Sequence, residues 1–142
     1  MVIPSEYIQI VSAGIYSIAL FYTIITFRRT KKLDQISLLN KIFSDLRELD
    51  REVVSIPSES KYDDIRYPWY TRIFNSVNWL SFMVNENVIN DTKMIEHIKP
   101  IIINYYESMF LTNASVDEKS SNSYQDFKKL YGKIKKSKEI TK

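Results

Sequence analysis

Residues 8–27 read IQIVSAGIYSIALFYTIITF and contain no Asp, Glu, Lys or Arg. A helix rises about 1.5 Å per residue, so this stretch reaches about 30 Å, the thickness of the hydrocarbon core of a bilayer. It therefore predicts a transmembrane helix. A cleaved signal peptide would place a basic region before the apolar run, whereas here the first basic residue follows it. A buried core helix is the other alternative, but a soluble domain of about 110 residues rarely needs so long an uncharged stretch.

The charges beside this stretch are asymmetric. Glu6 is the only charged side chain before it, whereas Arg28, Arg29, Lys31 and Lys32 follow it at once. Basic residues favour the cytoplasmic side of a span and are attracted to anionic headgroups by about 1 kcal/mol each. We therefore expect a single-pass cell-membrane protein with its N-terminus outside, its C-terminal domain in the cytoplasm, and these four residues in contact with membrane lipid.

The composition argues against most catalytic chemistry. The 142 residues include no cysteine, two glycines and one histidine, with a net charge of +3. Disulfides, thiolate metal sites and cysteine nucleophiles are excluded, and a glycine-rich phosphate loop cannot be built. We accordingly expect no metal, no cofactor and no catalytic residues.

His97 and three carboxylates are the remaining candidates for chemistry. His97 directly follows Glu96, whereas a di-iron site needs the two residues three positions apart on a helix. A partly buried histidine with one hydrogen-bond partner is favoured over a pH sensor or a general base. Glu48, Asp50 and Glu52 lie among arginines and are interpreted as members of surface ion pairs.

Apolar residues three and four apart predict two helices after the basic cluster. The first continues from the membrane segment, because no Pro or Gly occurs within residues 15–56, and ends at Pro57. A loop is expected over Ile56–Pro68. Pro68 near a first turn and the polar residues 85–87 then bound the second helix.

Two further helices are predicted in the C-terminal half. Asn90 or Asp91 can cap the third, and Pro100 predicts a kink or a break dividing residues 91–99 from 100–111. Residues 112–122 are polar and are expected to form a loop. Ser123 can cap a lysine-rich last helix, which frays after about Lys136.

The predicted fold is therefore all-α, with one N-terminal transmembrane helix followed by an up-and-down bundle of three to four helices. The domains are an anchor with its basic stop at residues 1–32, a helical bundle at 33–136, and a basic tail at 137–142. The lysines of the last helix are interpreted as solvated, with a membrane surface or nucleic acid as alternatives.

Four aromatic residues of the predicted bundle are candidates for an interaction surface instead of the core. These are Trp69, Tyr70, Tyr105 and Tyr106. Aromatic side chains supply much of the binding energy at protein interfaces.

Three segments carry a resemblance to a known group of proteins: NSVNWL at 75–80, MVNENVI at 83–89 and IIINYYE at 101–107. Over about residues 36–112 the chain resembles a family of short prokaryotic proteins of unknown function that have an N-terminal membrane helix and a cytoplasmic helical domain. Family members typically have an acidic residue three positions after that of Asn78, where this chain has Ser81, and a glycine at the position of Asn87. The chain departs from both. The resemblance implies this architecture and transfers no activity.

The sequence thus favours a non-catalytic accessory subunit or protein-interaction module of a membrane complex. Alternatives are a membrane-bound signalling or regulatory module with a cytoplasmic partner, and an enzyme using a carboxylate or His97. The expected partners are membrane lipid and other membrane-complex proteins. A second copy of the chain stays open as a partner, and nucleic acid is disfavoured.

Overall fold

The computed structural model describes the backbone of residues 5–140 and the side chains of residues 15–138. Within this part the chain is helical and contains no strand, which confirms the predicted all-α class. In chain order the elements are α1 (Ser5–Ser55), a 3₁₀ turn (Ser60–Tyr62), α2 (Asp63–Asn85), α3 (Thr92–Asn104), a π-helix (Tyr105–Phe110), α4 (Leu111–Asn113), α5 (Val116–Ser120) and α6 (Gln125–Ile140).

The chain divides between Ser37 and Leu38 into two compact units. Helix α1 runs without a break from Ser5 to Ser55 and so contributes to both. The prediction of one continuous first helix that ends just before Pro57 is confirmed.

The first unit exposes a series of large apolar side chains. Nine of them between residues 15 and 27 are 43–74% exposed: Ile15, Tyr16, Ile18, Leu20, Phe21, Tyr22, Ile24, Ile25 and Phe27. No helix in the described part of the chain has a stretch long and apolar enough to cross a membrane. Residues 8–14, the first part of the predicted span, lie outside the residues whose side chains are described.

The second unit is a helical bundle around one hydrophobic core. Along its α-helices most of the buried apolar residues are three or four positions apart, as burial of one helix face requires. They are Leu39, Ile42, Leu46 and Val53 on α1; Ile73, Phe74, Val77, Leu80 and Met83 on α2; Ile98 and Ile102 on α3; Tyr105 and Phe110 on the π-helix; and Phe127, Leu130 and Ile134 on α6, with Ile89 and Ala114 from connections.

Ring contacts fix the relative directions of the later helices. Phe110 contacts Tyr124 and Tyr106 contacts Tyr131, with centroids 5.8 and 3.9 Å apart, so the π-helix runs antiparallel to α6. Phe74 also contacts Tyr124, at 5.6 Å, whereas Asn85 accepts a hydrogen bond from Lys133. Asn85 also donates to the backbone carbonyl and the carboxylate of Asp126, at 3.1 and 3.2 Å, so the C-terminal end of α2 packs against the first turns of α6.

Of the kink or break predicted at Pro100, the break is wrong. Helix α3 passes through this proline to Asn104, and the change of helix type comes five residues later. Pro100 removes one backbone hydrogen bond, but Ile98 and Ile102 on either side are buried and hold the helix against the core. The π turn has a packing reason: Tyr105 and Phe110 are both buried, and a five-residue spacing brings them to the same side only when the helix is widened.

The predicted start of the second helix is also wrong. Helix α2 begins at Asp63, and Pro68 lies inside it. The earlier start is stabilised by Arg66, whose guanidinium donates to the carbonyls of Ser58 and Glu59 at 3.2 and 3.4 Å and to the Asp63 carboxylate. The predicted end of this helix is confirmed, since α2 ends at Asn85.

Two capping predictions have opposite outcomes. The Asp91 carboxylate accepts from the backbone N–H groups of Lys93 and Met94 and caps α3, as predicted. Ser123 does not cap the last helix, because α6 begins at Gln125 after Tyr124, whose φ is 54°. Helix α6 then continues to Ile140, beyond the point where fraying is predicted.

The polar segment after α4 is not wholly a loop. Helix α5 occupies Val116–Ser120, and a capping box stabilises its N-terminal end. The Ser115 hydroxyl accepts from the backbone N–H of Glu118, while the Glu118 carboxylate accepts from the backbone N–H of Ser115. This reciprocal pair satisfies two helix-end donors that water would otherwise have to satisfy.

Candidate interaction surface

The four aromatic residues predicted as an interaction surface lie in different surroundings. Tyr105 is buried, at 8% exposure, and Tyr106 is stacked on Tyr131. Tyr70 is half-buried and stacks on Phe74 with centroids 6.3 Å apart. Tyr70, Tyr105 and Tyr106 therefore contribute to the hydrophobic core, whereas Trp69 lines a groove with charged walls.

That groove lies between α1 and α2 and has a volume of about 530 Å³. One face of α1 and one face of α2 form its walls, and the lining residues recur at about one helical turn along each of them. They are Asp45, Glu48, Leu49 and Glu52 on α1, and Trp69, Arg72, Asn75 and Ser76 on α2. We call this feature the acidic groove.

Charge and aromatic surface are combined in the acidic groove. Its three carboxylates face one basic residue, Arg72, whose guanidinium lies 5.0 Å from the centroid of the Trp69 ring. A cation over an indole ring is attracted by the negative face of the ring. The groove therefore has an acidic wall and a flat apolar surface at the tryptophan, which suits a basic ligand with an apolar side chain.

A second groove, of about 390 Å³, lies between α1 and the α3–π segment. It is mainly apolar and is lined by Phe43, Leu46, Arg47, Pro100, Ile101, Asn104 and Tyr105. The Tyr105 hydroxyl donates to Oδ2 of Asp50 at 2.5 Å. Burial raises the pKa of Tyr105, and the hydrogen bond and negative charge of Asp50 raise it further. The hydroxyl therefore stays protonated and serves as a fixed donor.

A polar network connects the start of α2 with α5 and α6. The Glu118 carboxylate accepts from the hydroxyl of Tyr124 at 3.2 Å, and Lys128 donates to the backbone carbonyls of Glu118 and Ser121. Burial alone would raise the pKa of Glu118, but hydrogen bonds from Ser115, Tyr67 and Tyr124 outweigh it and lower that pKa. Burial and the charge of Glu118 raise the pKa of Tyr124 to about 12.

Two predictions about individual polar residues are wrong. His97 is exposed, not partly buried, because it faces away from the side of α3 that Ile98 and Ile102 bury. Within the described part of the chain Glu48, Asp50 and Glu52 form no ion pairs; Asp50 binds Tyr105. Among the same residues, no group of three His, Cys, Asp or Glu side chains is placed to hold a metal ion.

The predicted membrane-interface residues are exposed. Arg28, Arg29, Lys31 and Lys32 all lie on α1 within the first unit.

Trp79 is a surface residue that the sequence prediction omitted. It is 54% exposed and stacks on Phe82, with ring centroids 5.2 Å apart. The helical periodicity of the apolar residues could have predicted its exposure. Trp79 lies one residue before Leu80 and therefore about 100° away from the buried stripe of α2.

No protein-family model, curated protein or solved structure matches the chain. The resemblance to short prokaryotic proteins with a membrane helix therefore stays a prediction.

Proposed function

We propose that this protein is a single-span membrane protein whose helical bundle acts as a non-catalytic accessory subunit or interaction module of a membrane complex. One observation supports the anchor above all others: the nine large apolar side chains between Ile15 and Phe27 are exposed. They occur on every side of α1, since successive residues of a helix are turned by about 100°.

The exposed surface of this segment is costly in water. Moving one large apolar side chain from water to an apolar environment gains about 1.5–3 kcal/mol, so nine partly exposed ones amount to on the order of 10 kcal/mol. That is comparable with the whole stability of a small domain. Lipid would cover all sides of the helix at once, and residues 8–14 extend the uncharged stretch to the length of a span.

The proposed orientation follows from the basic cluster. Arg28, Arg29, Lys31 and Lys32 end the apolar stretch, so the bundle is proposed to lie in the cytoplasm with the N-terminus outside. The exposed state of these side chains leaves them accessible to lipid headgroups.

Membrane extraction tests the anchor. Full-length protein should stay in the membrane pellet after a carbonate wash. Ile18→Lys should shift it toward the supernatant, since a charge at the centre of a span costs about 3 kcal/mol. Val54→Lys is the matched control, because Val54 is also an exposed apolar residue of α1 but lies in the bundle unit. Release of the wild-type protein would refute the anchor.

Protease accessibility tests the orientation. Protease added to intact cells should leave the lysine-rich C-terminal helix undigested and should cut it only after the cells are opened. Digestion in intact cells would show that the C-terminal helix lies outside and would refute the proposed orientation.

Co-purification tests the interaction role. Extracted in mild detergent at native abundance, the protein should migrate together with larger membrane proteins. Recovery of the lone monomer would contradict an accessory-subunit role.

A signalling or regulatory module is the second candidate, and the unbroken helix from Ser5 to Ser55 favours it. Two glycines inserted between Thr30 and Leu33 should abolish signalling while leaving membrane insertion intact, because glycine weakens a helix interior. The same insertion after Ser58, between α1 and the 3₁₀ turn, is the control. Retained signalling in the helix variant would eliminate this candidate.

A further inference from the structure

The bundle unit displays two rows of opposite charge on different helices. Asp45, Glu48 and Glu52 form the acidic wall of the groove on α1. Lys129, Lys133 and Lys136 are exposed along one side of α6, and we call them the lysine row. We propose that two copies of the chain associate by placing the lysine row of one in the acidic groove of the other.

The spacing of the two rows matches in one direction only. From Glu52 backward the carboxylates are four and three residues apart, and from Lys129 forward the lysines are also four and three residues apart. Antiparallel helices therefore bring Glu52 opposite Lys129, Glu48 opposite Lys133 and Asp45 opposite Lys136. A parallel arrangement leaves the central pair out of register.

Each row is available for a second copy. Helix α6 faces its own core through Phe127, Leu130 and Ile134, and these three residues are buried. Lys133 donates to the Asn85 side-chain oxygen at 3.0 Å, but a neutral amide does not cancel the charge of the lysine. On the other side, Arg72 is the one basic residue among those that line the groove.

The apolar part of the groove supplies affinity that the charges cannot. Exposed ion pairs contribute little, about 0–1 kcal/mol each, and are screened by salt. Trp69 and Leu49, both half-buried, lie among the carboxylates and can be covered by the lysine stems and the adjoining turn of α6. Charge therefore selects the orientation, while covering the tryptophan stabilises the contact.

Two-fold symmetry would limit the proposed assembly to two copies. In the proposed dimer, a two-fold axis brings the lysine row of each copy to the acidic groove of the other, in the antiparallel direction that the spacing requires. Each copy then gives one groove and one lysine row, so the assembly ends at a dimer.

Charge reversal of the full-length protein in detergent micelles tests the proposal. A groove variant, Asp45→Lys with Glu52→Lys, and a helix variant, Lys129→Glu with Lys136→Glu, should each weaken self-association about tenfold or more in analytical ultracentrifugation at low salt. An equimolar mixture of the two variants should dimerise again, because both contacts in the mixed pair have opposite charges. Lys93→Glu, an exposed lysine on α3, is the matched control and should dimerise like the wild type.

Cross-linking gives an independent measurement, since the natural chain has no cysteine. Copies carrying Glu52→Cys and differently tagged copies carrying Lys129→Cys should form a mixed disulfide, and Lys93→Cys copies should not. A monomeric wild type at low salt, a dimer unaffected by either reversal, or no recovery in the mixture would overturn the proposal. So would a groove that binds only a basic segment of another protein.

This inference is separable from the proposed function. Membrane extraction tests the anchor, whereas oligomeric state tests the groove, and either can fail alone.

Discussion

The Tyr105 hydroxyl donates a 2.5 Å hydrogen bond to Oδ2 of Asp50, across 55 positions of sequence. The bond joins the end of α1 to the first residue of the π-helix. The other carboxylate oxygen of Asp50 is buried and has no hydrogen-bond partner among the described residues. The folded state of the bundle therefore depends on this single donor to satisfy a half-buried carboxylate.

Removal of that donor should destabilise the bundle. Tyr105→Phe is expected to lower the free energy of unfolding by about 1–3 kcal/mol, because it leaves both oxygens of Asp50 unsatisfied. Asp50→Leu with Tyr105→Phe should cost less than the two single changes added together. Urea denaturation followed by tryptophan fluorescence measures this, since both tryptophans lie in α2 and report on the bundle. An additive double variant would contradict the coupling.

Asn78 should be important to the start of α6. Its side-chain oxygen accepts from the backbone N–H of Phe127 at 3.1 Å, one of the donors that the first turn of a helix leaves free. Asn78→Ala is therefore expected to cost about 1 kcal/mol of stability. Asn75→Ala is the control in the same helix, because Asn75 is exposed. Equal effects in denaturant titrations would rule out the capping role.

The polar network of Glu118 and Tyr124 should make the bundle less stable at both low and high pH. The pKa of Glu118 lies below its ordinary value of 4.5, so its contribution is complete above pH 4.5 and is lost as the pH falls through the lowered pKa. The pKa of Tyr124 is raised from 10.0 to about 12, so its contribution is complete below pH 10 and is lost between pH 10 and about 12. Glu118→Gln should flatten the acid side of a plot of melting temperature against pH.

A variant of Tyr124 tests the predicted loss of stability at high pH. Tyr124→Phe should make the loss of stability above pH 10 shallower than in the wild type, while part of the loss below pH 4.5 stays, because Ser115 and Tyr67 still donate to Glu118. An unchanged alkaline slope would argue against the contribution of Tyr124.

Asn87 occupies a backbone conformation that most residues avoid, with φ at 57°. Asn87→Gly should change stability by no more than about 0.5 kcal/mol, because glycine adopts this conformation freely but loses more entropy on folding. Asn87→Val should cost about 1–2 kcal/mol, since β-branched residues are strained there. Glu86→Val is the control, because Glu86 is an exposed residue of the same connection with φ at −91°. A tolerated valine at position 87 would contradict the strain argument.

Much of the bundle follows from local pattern. The absence of Pro and Gly over residues 15–56 predicts the length of α1, and Asp91 is a readable N-cap of α3. The four aromatic candidates show where this reasoning ends. Apolar spacing places Tyr105 and Tyr106 on a helix, but their surroundings depend on Asp50 and Tyr131, which are distant in sequence.

The amino-acid sequence by itself determined the all-helical class, the extent of the first helix and the uncharged stretch at residues 8–27, since each depends on neighbours within a few turns. Only the tertiary structure decided the π turn and the acidic groove. The groove joins Glu48 and Trp69, whose proximity depends on how α1 and α2 pack. Burial against other helices, not local spacing, selects among the helical geometries that one segment can adopt.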